Sequence, residues 1–163
     1  MNNRVDDNLI HFGANEELVR TLFDTQVKFV VVGGLAVSWH CSARQADDMD
    51  LLVEPTHENS SRIARALSQL NISGFRDDSF VHPGLQVPLK QHYYAEFLTP
   101  EVDGLSYAAI EAKAVQAKLF GLPVRLASVE SLVHMKRRAA ASLAAQSLKH
   151  QSDIALLERC NVA

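Results

Sequence analysis

Lys28-Phe29-Val30-Val31-Val32-Gly33-Gly34, followed after a short interval by Asp48-Met49-Asp50-Leu51-Leu52-Val53-Glu54-Pro55, is the part of this chain that decides its fold. The first run is β-branched and aromatic and stops at two glycines, the pattern of a buried strand ending in a tight turn. The second reads as a strand over Asp48 to Glu54, closed by Pro55, which disfavours continuation of the preceding backbone. Between them Leu35 to Ser42 reads as a short helix. The local order is therefore strand, glycine turn, helix, strand.

Moving outward, Leu18, Val19, Leu22 and Phe23 recur at helical spacing from Asn15 onward, with Glu16 and Glu17 where a helix N-terminus favours negative charge. Thr56 is placed to cap a helix carrying Ile63, Leu67 and Leu70 on one face. Leu85 to Leu89 and His92 to Leu98 have strand composition around a break at Pro88. Ala-rich sequence after Tyr107 leads to a small hairpin, with Val115 to Phe120, a Gly121-Leu122-Pro123 turn, and Val124 to Leu126. Ser128 opens a helix running through Met135 and Lys136, and Ile154, Leu156 and Leu157 mark a final one. Long loops are expected near residues 74 to 92 and 100 to 106. Helices and strands mix as α/β or α+β.

The chain has 163 residues, 47% of them hydrophobic and 21% charged, with 7 Gly and 5 Pro. That length and composition predict one globular domain over 1–163, with a C-terminal helical part about 128–160. No apolar run reaches the ~20 residues of a membrane helix, and the first residues lack the apolar stretch of a signal peptide, so a cytoplasmic protein without a membrane partner is expected. Sixteen Lys plus Arg against nineteen Asp plus Glu give a formal charge of −3, which argues against an obligate nucleic-acid binder unless cations cluster locally. Cys41 and Cys160 stand far apart without CxxC spacing, so both are read as free thiols.

Asp48 and Asp50 carry the chemistry. Residues two apart on a strand share a face, which sets the pair about 6 to 7 Å apart along the backbone at a rise of ~3.3 Å per residue. Two such carboxylates repel until a hard cation neutralises them. Mg²⁺ takes one or two protein carboxylates together with phosphate oxygens and water. Glu96, in Tyr93-Tyr94-Ala95-Glu96-Phe97-Leu98, sits in an apolar run where an acid is otherwise costly, and is the candidate third ligand. Gly33 and Gly34 permit close backbone approach and leave helix N-terminal N–H groups for phosphate oxygens.

Val32-Gly33-Gly34, Ala36, Arg44 and Asp48-Met49-Asp50-Leu51-Leu52-Val53, with Glu96-Phe97-Leu98-Thr99 farther on, together resemble the nucleotidyltransferase superfamily and its pattern hG[GS]…R.T.D.D. The resemblance extends C-terminally through Leu122 to Leu126, Ser128 to Leu132, Lys136, Lys149 and Asp153, which are similar to small stand-alone bacterial nucleotidyltransferase-like proteins. It implies a small mixed β-sheet flanked by helices. It also implies Mg²⁺-dependent transfer of a nucleoside monophosphate from an NTP to an acceptor that is a small molecule, an RNA or a protein, with a toxin of a toxin–antitoxin pair among the roles it admits. In that frame Asp48, Asp50 and Glu96 are catalytic and bind two Mg²⁺, and Gly33, Gly34, Arg44 and Lys136 bind the nucleotide. The pattern is broken at Ala46, where Thr is usual, at Glu96, where Asp is commoner, and at Trp39-His40, where a smaller residue is common. These breaks give the competing reading, a binding or regulatory module that keeps the fold without catalysis.

Each candidate has a plainer structural role. Asp48 and Asp50 could protect a strand edge, Glu96 could face outward on a half-exposed strand, and Arg44 could pair at the surface. Lys136 lies in Met135-Lys136-Arg137-Arg138, a run that ordinarily forms a solvated helix face yet supplies the local basic cluster an RNA would need. Lys149 and Asp153 stand at i, i+4 and read as a structural ion pair. Asp47 is expected on the opposite face from its neighbour and exposed. His82, His92 and His134 have no metal-ligand spacing and read as loop or surface residues.

Overall fold

Val30, Val31 and Val32 are buried without alternation, as are Leu51, Leu52 and Val53, so both strands are covered on both faces and belong at the centre of a sheet. The computed structural model of the chain describes residues 4–41, 45–89, 93–142 and 147–162. A 3-10 turn at Val5–Asn8 precedes α1 (Asn15–Asp24), β1 (Phe29–Val32), α2 (Gly33–Cys41), β2 (Met49–Val53) and α3 (His57–Gln69). There follow β3 (Gln86–Pro88), β4 (Ala95–Leu98), α4 (Tyr107–Lys113), β5 (Val115–Leu119), β6 (Leu122–Leu126), α5 (Val129–Ser142) and α6 (Ser147–Val162).

The strands form one mixed sheet in the order β3-β4-β2-β1-β6-β5. β1 runs antiparallel to β2 and parallel to β6, and β2 runs parallel to β4. This is the small mixed sheet with flanking helices that the sequence led us to expect. Residues 35–39 of α2 are all buried, and a helix apolar on every side is an interior helix. It lies against β1 and β2 on one side and receives α5 and α6 on another. Among the described residues no helix is long and apolar enough to cross a membrane.

Local chemistry starts and stops these elements. The Thr56 hydroxyl accepts the Asn59 N–H at 3.2 Å and the Ser128 hydroxyl accepts that of Ser131 at 3.1 Å, caps of the kind worth about 1 kcal/mol. Three details differ from the sequence reading. The helix after β1 begins at the glycines themselves, not at Leu35. The hairpin turn is Phe120-Gly121, both at positive φ, and Leu122 and Pro123 already belong to β6. Pro123 is tolerated there because β1 pairs only with Arg125 and Leu126, so its missing N–H costs the ladder nothing toward β1. The Ala-rich connector is α4, capped by the Ser106 hydroxyl on the Ala109 N–H.

The N-terminal segment joins the sheet's rim without periodicity of its own. Arg4 bridges to Lys118 and Leu9 to Ala46, and the buried Asp6 carboxylate accepts the Phe120 N–H at 2.9 Å. Both cysteines are free thiols.

Candidate active site

Antiparallel pairing sets Val32 opposite Asp50, and parallel pairing sets Asp50 opposite Glu96. The end of β1, Asp50 and Glu96 therefore form a row across three adjacent strands, at ~4.8 Å per strand. Gly33 turns the chain out of β1 at φ 67°. A Cβ at that position would overlap the Asp50 carboxylate and come within 2.9 Å of the Asp50 Cβ, so only glycine leaves this carboxylate its room. Asp48 stands exposed just ahead of β2, while Asp50 and Glu96 are half-buried. Partial burial pushes the Glu96 carboxyl above its usual range, and the negative charge of Asp48 pushes it further the same way.

These residues line one cavity of about 630 Å³ that also takes in Gly34 and Lys136. The Lys136 ammonium lies 3.0 Å from Asp153 Oδ2, with only 12% of its side chain exposed and 1% of its partner's. Lys136 thus belongs to an interhelical ion pair at the cavity wall, not to a solvated face. Lys149, the sequence neighbour expected to pair with Asp153, has its side chain outside the described residues. Arg44 and His92 also lie outside them. Asp47 is exposed, as expected, with its carboxylate 4.0 Å from the His11 ring. His82 and His134 are exposed.

The breaks in the sequence pattern have local causes. Ala46 is buried where Leu9 bridges to it: its N–H donates to the Asn8 carbonyl and its carbonyl accepts from Ile10. Trp39 is buried in α2, and the indole Nε1 finds no hydrogen-bond partner among the described residues. His40 reaches across with Nε2 2.8 Å from the Ala127 carbonyl, tying α2 to the start of α5, and burial holds its pKa below the ordinary value.

Sequence reasoning missed several cavity residues. Arg138 reaches the wall from α5 and binds Glu101 at 2.9 Å and the Asp103 carbonyl at 3.1 Å. His150 enters from α6. Only its i, i+3 spacing from Asp153 on a helix could have suggested it.

Among the described residues no three His, Cys, Asp or Glu side chains are grouped to hold a metal ion. Mg²⁺ asks less of a protein, one or two carboxylates with phosphate and water oxygens completing its shell. Asp50 and Glu96, adjacent in register, with the Asp48 charge felt at Glu96, are hard-oxygen donors of that kind, and the missing Gly33 Cβ keeps the Asp50 carboxylate accessible. The donor set fits the ion.

No protein-family profile matches the chain, and no curated sequence matches it. Solved structures do. An antigenic nucleotidyltransferase-like protein from Paracoccidioides brasiliensis superposes with a TM-score of 0.56 at 14% identity, over 87% of this chain and 72% of that one. ANT(2")-Ia in complex with adenylyl-2"-tobramycin also gives a TM-score of 0.56 at 14% identity, over 91% of each chain. The chain has a nucleotidyltransferase fold.

Proposed function

We propose that this chain uses its nucleotidyltransferase fold for catalysis, transferring a nucleoside monophosphate from an NTP to an acceptor hydroxyl. The observation that carries the reading is the row formed by Gly33, Asp50 and Glu96, with Asp48 beside it, at the wall of a single cavity. The product named in the ANT(2")-Ia structure is adenylylated, which supports this chemistry on this fold.

In the proposed step the acceptor oxygen bonds to the α-phosphorus, the bond to the β-phosphate's bridging oxygen breaks, and pyrophosphate departs with that electron pair. Gly33 and Gly34 cradle the triphosphate with backbone N–H groups, Lys136 offsets phosphate charge, and Arg44 is assigned the same task by sequence. Asp48, Asp50 and Glu96 would hold Mg²⁺, two ions in this reading, whose charge would stabilise the oxygens of the transferred group. Glu96 is also assigned the acceptor's proton, as the acid on the strand next to Asp50. Displacement of this kind needs positioning and charge more than covalent help from the protein.

Thermal unfolding with each NTP, with and without Mg²⁺, tests the site. At 100-fold excess over Kd a ligand bound only by the folded chain adds about 2.7 kcal/mol. The expected result is an Mg²⁺-dependent rise in Tm that Asp48→Asn abolishes; no rise with any NTP removes the proposal. The competing reading, a module without catalysis, draws on Ala46, which is buried beneath the N-terminal segment and offers no hydroxyl. It expects the same rise in Tm but no transfer of label from [α-³²P]NTP.

A further inference from the structure

Cys41 and Cys160 are the chain's two cysteines, the first closing α2 and the second in the last turn of α6. The two helices pack against each other. The Cys41 Sγ lies 3.6 Å from the Leu156 carbonyl oxygen, and in the register of an α-helix that same oxygen accepts the Cys160 N–H. At ~2.9 Å for the helical bond, the shared carbonyl holds the Cys41 sulfur within about 6.5 Å of the Cys160 nitrogen. The Cα–Cβ bond of a helical residue tilts toward the N-terminus, so the Cys160 side chain covers the turn of Leu156, where the Cys41 thiol arrives. Cys160 also belongs to the inward side of α6: Asp153, Leu157 and Cys160 recur at i, i+4 and i+7, the first two buried and Cys160 half-buried, as Cys41 is.

The thiols stand at the end of this helix pair that is remote from the cavity. Gly33, the first residue of α2, and His150, in the first turn of α6, both line the cavity. At ~1.5 Å per residue, Cys41 comes about 12 Å farther along α2 and Cys160 about 15 Å farther along α6. The helices therefore run side by side in the same sense, from the cavity to the cysteines. Between those ends α6 carries Asp153, which holds Lys136 of α5 at the cavity wall. A bond from Cys41 to Cys160 fastens that wall to the helix whose first residues are Gly33 and Gly34.

We propose that Cys41 and Cys160 are a redox modification site, closing to a reversible disulfide by exchange with a small disulfide of the oxidised-glutathione class. The thiolate of one cysteine attacks a sulfur of the small disulfide, whose S–S bond breaks, and a small thiolate leaves with the electron pair and takes up a proton. The thiolate of the other cysteine then attacks the protein sulfur of the mixed disulfide and releases the second small thiol. Two protein thiols are oxidised to one disulfide, the small disulfide is reduced to two thiols, and the two protons given up by the cysteines end on those thiols. The bond requires Cα atoms about 4.4–6.8 Å apart. Both cysteines lie at helix ends, where the last carbonyls have no partner within the helix and the final turn adjusts at little cost. The closed loop of about 120 residues constrains the unfolded chain strongly. The pair does not depend on nucleotidyl transfer.

The test incubates the full chain in native buffer with oxidised glutathione and digests it with trypsin in the absence of reductant. The expected product is a monomer lighter by two hydrogens, giving one cross-linked pair of peptides that contain Cys41 and Cys160, and dithiothreitol is expected to return it to the starting mass. The oxidised monomer is expected to unfold about 5–15 °C above the reduced one, and its amides over 150–160 to exchange more slowly. Cys41→Ser and Cys160→Ser are each expected to abolish the rise in Tm while unfolding near the reduced wild type. Thiols that stay unchanged, a lasting glutathione adduct at either cysteine, a disulfide between two chains, or a disulfide formed only in urea would each overturn the site. A cross-linked monomer with the Tm and amide exchange of the reduced chain would overturn the fastening of α6 to α2.

Discussion

Gly33 shows how much one residue contributes to the site. Its φ of 67° is a region that costs a side-chain-bearing residue ~1–3 kcal/mol, and a Cβ would also push on Asp50. Gly33→Ala is therefore expected to lower stability by at least that amount in urea unfolding and to remove the NTP-dependent rise in Tm together with transfer. His40 gives a pH signature. Burial holds its folded-state pKa below 6.5, so the unfolded chain binds the proton more readily. Its contribution is complete above pH 6.5 and is lost as pH falls from there toward the depressed folded value. Wild type is expected to lose more stability than His40→Gln between pH 7.5 and pH 5.5, as read by paired urea titrations. Gly33 was legible in the sequence because a glycine pair closing an apolar strand is a local signal. The role of His40 was not, because its carbonyl partner lies 87 residues away.

Elements here are joined by buried polar side chains at their ends. Asn59, 1% exposed in the first turn of α3, accepts the Lys28 N–H at 2.7 Å and donates to the Lys28 and Glu54 carbonyls at 3.0 Å each. It clasps the entry to β1 and the exit of β2 together and so aligns the strands whose other ends carry Gly33 and Asp50. Asn59→Ala leaves the Lys28 N–H and the Glu54 carbonyl without the Asn59 carboxamide, while the Lys28 carbonyl keeps the Glu54 N–H, and a loss of about 2–4 kcal/mol is expected by urea unfolding, from an unmet cost of ~1–3 kcal/mol for each of the two groups. The periodicity of α3 and its Thr56 cap could be read from sequence. The clasp could not, since Asn59 is one more polar residue in a helix start until β1 and β2 are brought beside it. Asn15 is a parallel case, read as the start of α1 and found to fix the backbone at Tyr94 as well.

At the scale of the molecule, α5 and α6 close one side of the cavity, and the Lys136–Asp153 pair binds them to each other at that wall. Breaking a buried pair from one side strands a charge, so Asp153→Asn is expected to cost about 3–5 kcal/mol in urea unfolding. The double replacement Lys136→Met with Asp153→Leu is expected to regain most of that stability while the NTP-dependent rise in Tm is reduced by loss of the Lys136 ammonium, which separates the pair's structural part from its proposed phosphate contact. The sequence by itself determined the strand–glycine–helix–strand order and the oddity of Glu96 in an apolar strand, because turn chemistry and period-two alternation act over a few neighbouring residues; the strand expected from Asp48 begins at Met49, so Asp48 stands just outside it. Tertiary structure alone decided that β2 and β4 run side by side in the register joining Asp50 to Glu96, that Ala46 lies beneath the N-terminal segment, and that Lys136 meets Asp153. Those contacts come from the packing of segments distant in the chain, and the free energy that selects among such packings is not carried by any one segment.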